Sequence, residues 1–158
     1  MFVRHHSVIE IPFYEARRRY AELVAEQAGG SSSSEDPGGR LDSIGFELPP
    51  VQVRKRVELT LGEPRDLSPQ VLVADVSWRA SGPEALFPVW EGKLEVAGHG
   101  ARRTRLSLSG NYVPPLGGPG HAMDRMLMNR VAKASVADFL DRLGQNLVGR
   151  AASQAGPG

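Results

Sequence analysis

Strict alternation of apolar and polar residues runs through the middle of the chain. Val51, Val53, Val57, Leu59 and Leu61 share one face, with Gln52, Arg54, Arg56, Glu58 and Thr60 opposite. Leu72, Ala74, Val76 and Trp78 oppose Val71, Val73, Asp75, Ser77 and Arg79. Leu86, Pro88, Trp90, Leu94 and Val96 oppose Phe87, Val89, Glu91, Lys93 and Glu95, and Leu106, Leu108 and Tyr112 oppose Arg105, Ser107, Ser109 and Asn111. A period of two is the mark of a strand with one buried face. Turn residues separate the segments at Glu63 to Asp66, Ser81-Gly82-Pro83 and Gly98-His99-Gly100, so neighbouring strands are antiparallel.

Upstream, Phe2 to Ile11 reads as a further strand that Pro12 ends. The period then changes, and Phe13, Ala16, Tyr20, Leu23 and Val24 form one stripe of a helix closed by Gly29-Gly30. Ser31 to Arg40 (SSSSEDPGGR) holds no apolar residue and reads as a flexible loop inserted within one domain. Ile44 to Leu48 makes a short edge strand before Pro49-Pro50.

Downstream, Pro114-Pro115 stop the last strand and Leu116 to Gly120 allow a change of direction. From about Ala122 to Leu147 no proline occurs, which predicts the longest helix of the chain, with Gly149 as its stop. Val136, Ala137, Phe139, Leu140, Leu143, Leu147 and Val148 share one side of it. Met123, Met126, Leu127, Val131 and Ala134 cluster in a direction turned by roughly 120°. The pattern therefore predicts a helix that curves or is covered on different sides along its length.

The chain of 158 residues suits one domain, placed at residues 1–149 with a disordered tail at 150–158. A formal net charge of +1 supplies no field for nucleic acid, and the basic runs lack interleaved aromatics. Without cysteine there is neither a disulfide framework nor thiolate chemistry. No apolar run approaches the length of a membrane span and no secretory leader is evident, so a cytoplasmic protein is expected.

Catalytic signals are sparse. His5 and His6 are adjacent on a strand, so they point to opposite faces and cannot chelate one ion together. No phosphate loop, nucleophile elbow or zinc motif occurs, and no metal or other cofactor is expected. Lys55 shares the parity of the apolar face of its strand. It is either a snorkelling side chain at a bulge or an anchor for a ligand carboxylate or phosphate. Trp78, Trp90 and Tyr112 share an inward parity that suits a pocket wall or an ordinary core.

The order of elements is strand, helix, strand meander and one long helix. In that order, and in Val8 to Leu23 (VIEIPFYEARRRYAEL), Gly100-Thr104-Leu106 and Leu106 to Gly120 (LSLSGNYVPPLGGPG), the chain resembles the START-like (SRPBCC) superfamily. That superfamily includes polyketide cyclases, Bet v 1-type proteins and START lipid-binding domains. The resemblance implies an α+β helix-grip fold: a curved antiparallel sheet wrapped around the C-terminal helix, enclosing a cavity for a small hydrophobic or amphipathic molecule. Ser31 to Arg40 departs from the pattern, since relatives often carry a second small helix there. The wall expected on this reading comprises His5, Lys55, Trp78, Trp90, Tyr112, Met123, Met126 and Leu127.

The expected activity is binding of a lipid-, polyketide- or isoprenoid-like molecule, with no nucleic acid, no stable membrane insertion, and a homodimer as an option. A cyclase/dehydratase-type enzyme ranks below it, because only a histidine and a tyrosine are at hand and no paired carboxylate. A protein-interaction module with a closed cavity is the third reading.

Overall fold

In a computed structural model the chain is described over residues 1–29, 41, 43–48, 51–80, 89–113 and 125–154; side chains at 43–48, 51–55, 80, 125 and 150–154 are outside the description. The elements are β1 (Phe2–Ile9), α1 (Phe13–Ala28), β2 (Ser43–Leu48), β3 (Val51–Leu61), β4 (Arg65–Ser68), β5 (Val71–Ala80), β6 (Val89–Gly98), β7 (Thr104–Val113) and α2 (Arg125–Gln154). The seven strands make one sheet in the order β1-β7-β6-β5-β3-β2, with β4 pairing β5 beyond the end of β3. Every pairing is antiparallel. The alternation of the sequence is realised as an inner face buried against α2.

We call upper the end of the sheet with Phe2, Ala80, Val89 and Val113, and lower the end with Ile9, Val71, Gly98 and Thr104. Helix α2 runs from upper to lower. Phe139 meets Trp78 near the upper end, while a side chain at Gly144 would meet Ile9 and Leu106 near the lower one. It packs along both β1 and β2, the two edges of the sheet. The sheet thus curls round the helix.

Two glycines permit that curl. Gly92 of β6 lies directly opposite Gly110 of β7. A Cβ at Gly92 would come 2.5 Å from the Ser109 carbonyl oxygen and 2.7 Å from Cζ2 of Trp90. A Cβ at Gly110 would strike the backbone of Glu91 and Gly92. The Trp90 ring therefore lies over the bare backbone two residues along its own strand, an aromatic covering a glycine.

Helix α1 plugs the lower end. Pro12 starts it, its carbonyl accepting the N–H groups of Glu15 and Ala16 at 3.1 Å each. The Tyr20 hydroxyl donates to the Gly62 carbonyl at 2.9 Å, in the break between β3 and β4. The Gln27 amide donates to the Leu59 carbonyl and accepts from the Leu61 N–H, both at 2.9 Å. Since β2 pairs β3 only as far as Arg56, that amide continues the ladder along an otherwise bare edge. Arg17 adds a two-bonded contact to Asp66 at 2.9 and 2.6 Å, which holds the Asp66 carboxyl below its usual range but is exposed and contributes little.

Several sequence expectations need correcting. The first strand ends at Ile9, although Ile11 remains buried and its carbonyl accepts from Thr104 Oγ1 at 2.8 Å. Strand β4 occupies residues read as part of a turn. Helix α2 is described from Arg125, with Ala122 to Asp124 outside the described residues, and passes through Gly149 to Gln154, so residues 150–154 are helical rather than a disordered tail. Among the described residues nothing outside its own helix lies within 4 Å of a Cβ position at Gly149, so no packing there requires a glycine. The stripe of α2 is also not turned by 120°. Met128, Val131, Ala132, Ser135, Val136, Phe139, Leu140, Leu143 and Leu147 are buried in one continuous band, while Met126 and Leu127 are exposed. Small residues, Ala132 and Ser135, let the helix approach the sheet, and a hydrophobicity wheel does not weigh them. Ser31–Arg40, Met123 and the Pro114–Gly120 hinge lie outside the described residues.

Two predictions follow from this packing. Gly92→Ala places a methyl against both Trp90 and a carbonyl oxygen, so it should cost about 1–3 kcal/mol by overpacking and perturb the near-ultraviolet tryptophan signal. An unchanged melting temperature would show that the contact yields without cost. The second concerns alkaline pH. Burial first, then the charges of Glu63 and Asp75, raise the Tyr20 hydroxyl well above the ordinary phenol range. The unfolded chain ionises it at about pH 10 while the folded chain keeps its proton, so its contribution is intact below about pH 10 and falls as pH rises further. The unfolding free energy from urea titrations should decline there by up to about 1.4 kcal/mol per pH unit for such a group. Tyr20→Phe should flatten the decline, and Tyr14→Phe, at a residue 73% exposed, should not. Equal slopes in all three proteins would refute the assignment.

Candidate functional site

The inner face carries one row of large side chains across four strands near the upper end. Leu59 of β3 is opposite Trp78 of β5, Trp78 is opposite Trp90 of β6, and Trp90 is opposite Tyr112 of β7. Tyr112 donates its N–H to the Met1 carbonyl at 2.8 Å, which carries the row to the edge. Cross-strand neighbours on one face stand about 4.5–5.5 Å apart at Cβ, so four such residues must touch.

The two indoles stack, with ring centroids 5.3 Å apart and planes 17° from parallel. The Phe139 ring meets Trp78 at 5.1 Å and 39°. The row is closed. Trp90 is 0% exposed and Tyr112 2%, so no space wide enough for water reaches the Trp90 ring.

Closure leaves polar atoms without partners. Trp90 Nε1, Tyr112 Oη and Ser135 Oγ are buried and make no hydrogen bond among the described residues. Buried polar groups nearly always find partners, and each orphan costs roughly 1–3 kcal/mol. Ser135 lies one helical turn before Phe139, towards the upper end, so all three orphans belong to the same end of the core. Burial pushes the Tyr112 hydroxyl above the ordinary phenol range, which keeps it protonated. No carboxylate occurs among the buried described residues.

The structure brings Trp78, Trp90 and Tyr112 together and leaves His5, Met126 and Leu127 elsewhere, while Met123 and the Lys55 side chain lie outside the described residues. His5 does have inward parity and is half-buried, but it stands opposite Leu108, four residues down β7 from Tyr112, or about 13 Å along the strand. Lys55 pairs with Ile44 through its backbone, four residues up β3 from Leu59, and its side chain is outside the description. Met126 and Leu127 are on the solvent side of α2, 68% and 40% exposed. Ser135 was missed by sequence reasoning. A lone serine within a helix gives no signal; only its register with Phe139 and Met128 shows it turned inward.

A depression of about 540 Å³ lies on the opposite, outer face of the sheet, lined by Phe2, Ser77, Glu91, Lys93, Ser109 and Asn111 over the Gly92–Gly110 backbone. It is open to solvent, and the three orphaned groups are not among its lining. Among the described residues no group of histidine and acidic side chains could hold a metal ion, and no helix is long and apolar enough to cross a membrane.

Neither a protein-family model nor a curated protein matches the chain. Solved structures do. A Thermus thermophilus protein superposes with a TM-score of 0.55 at 18% identity, over 95% of this chain and 99% of its own. A conserved protein of Geobacillus kaustophilus gives 0.50 at 15%, over 94% and 95%. Norcoclaurine synthase of Thalictrum flavum gives 0.51 at 10%, over 94% and 86%. At these identities the likeness is one of fold, and with the curled sheet and its central helix it makes this chain a helix-grip protein, as the resemblance to START-like proteins implies.

Proposed function

We propose that the protein binds a small hydrophobic or amphipathic molecule between the upper end of the sheet and the first half of α2. The observation that carries this reading is the cluster of three buried polar atoms without partners around an aromatic row. A folded core gains nothing from burying an indole N–H and two hydroxyls unpaired, whereas a ligand that bonds them recovers that cost on binding. The fold is compatible with such a role, since one structural neighbour is by name a synthase. Because the row is closed, the ligand must part the ring of Phe139 or the indole pair from its neighbours. Its apparent affinity is then reduced by the population of the open state.

The full burial of Trp90 favours a second reading, an interaction module whose core is permanently filled. An enzyme of cyclase/dehydratase type is supported less, because a protonated Tyr112 and a distant His5 do not make an acid–base pair.

Both tryptophans of the chain sit in the row, so intrinsic fluorescence reports on this region alone. Titration with Nile red should quench tryptophan emission by energy transfer, with saturation at one dye per chain, and native mass spectrometry of freshly purified protein should find a co-purified small molecule. Leu140→Ala, at a fully buried position on the lower half of α2, should lose about 2–5 kcal/mol and still quench. No quenching together with no bound molecule would leave the closed module as the better reading.

A further inference from the structure

The three orphaned groups differ in what they offer, and the difference defines a ligand. Trp90 Nε1 can only donate. The Tyr112 hydroxyl is held in its protonated form and Ser135 carries a second O–H, so the buried surface is rich in donors. No buried carboxylate occurs among the described residues and none of the three groups bonds a protein acceptor there, so an acceptor brought by a ligand would match them. The buried charged group among the described residues is Arg19, and it is at the other end of the core, on α1 beside Glu15 at 3.2 Å. Among the described residues no buried cation therefore stands near Trp90 to meet an anion. A carboxylate taken from water into this row would lose its hydration and gain only neutral donors.

Resting on the binding reading above, we propose that the ligand is a neutral, largely apolar molecule carrying an oxygen acceptor of carbonyl type, received by the indole N–H of Trp90 and the hydroxyls of Tyr112 and Ser135. The flat, stacked pair Trp78–Trp90 with Phe139 adds a surface for a ring-shaped apolar body. Carbonyl and body are recognised by different atoms, so they can be tested separately.

Three naphthalene probes of nearly equal size serve: 2-acetylnaphthalene, 2-ethylnaphthalene and 2-naphthoate, each titrated calorimetrically. The acetyl compound should bind about tenfold or more tightly than the ethyl compound, since it satisfies donors that the hydrocarbon leaves bare. Tyr112→Phe and Ser135→Ala should each remove a large part of that advantage without changing the affinity of 2-ethylnaphthalene. Both variants should keep or raise the urea midpoint of the free protein, because each removes a hydroxyl with no partner to lose. A lowered midpoint in either would mean that its hydroxyl is bonded within the fold, and the proposal falls. Equal binding of the acetyl and ethyl probes overturns the acceptor while leaving the binding reading intact. Tightest binding of 2-naphthoate overturns neutrality. If none of the three binds, the binding reading itself fails.

Discussion

The contact on which this architecture turns is the aromatic bridge from Trp90 through Trp78 to Phe139. It is the direct link between the centre of the sheet and the helix that the sheet encloses. Stacked rings are stiff and have few rotamers, so they fix not only that α2 docks but at what height. From Phe139 the helix carries Leu140, Leu143 and Leu147 down the inner face, all fully buried. Each contributes roughly 1.5–3 kcal/mol on burial, comparable together with the net stability of a domain. The bridge itself depends on an absence, because Trp90 can lie flat only where Gly92 offers no side chain. A glycine on one strand thus sets the position of a helix nearly fifty residues later.

The lower end is held differently. There the interactions are polar and directional: a tyrosine hydroxyl into a strand break, a glutamine amide into a strand edge, a threonine hydroxyl to a carbonyl. Each bond satisfies a backbone group that the sheet leaves over where it stops. At the upper end Trp90 Nε1, Tyr112 Oη and Ser135 Oγ are buried without a hydrogen bond among the described residues, which supports the proposed placement of the binding site there.

Much of the fold could be read from the sequence because a period of two leaves little choice. Trp78, Trp90 and Tyr112 were assigned to one inward face, and the register puts them side by side. The order of elements was enough for the helix-grip arrangement. What pattern could not supply was anything that depends on size rather than polarity. The buried band of α2 runs through Ala132 and Ser135, which a wheel counts as neutral, so the apolar Met126 and Leu127 drew the stripe to the wrong side. Arg19 lies outside the apolar stripe of its helix, yet it is fully buried beside Glu15. The close approach at Gly92 and Gly110 has no signal in the alternation, because it depends on where the Trp90 ring lies. His5 was assigned the correct face, but parity says nothing about height along a strand, and height separates it from the row.

The pairing of β1 with β7 has a consequence for how the protein is made. Phe2 waits for Asn111 and Ile9 for Thr104, so β1 is matched only by β7, the last strand of the sheet in chain order. Until then both of its edges are bare, and Val3 and Ile9 have no α2 to cover them, since that helix follows β7 in the chain. Pairings this distant along the chain close slowly. A folding chain therefore holds β1 unpaired until β7 is available, and for that time the strand is open to mispairing.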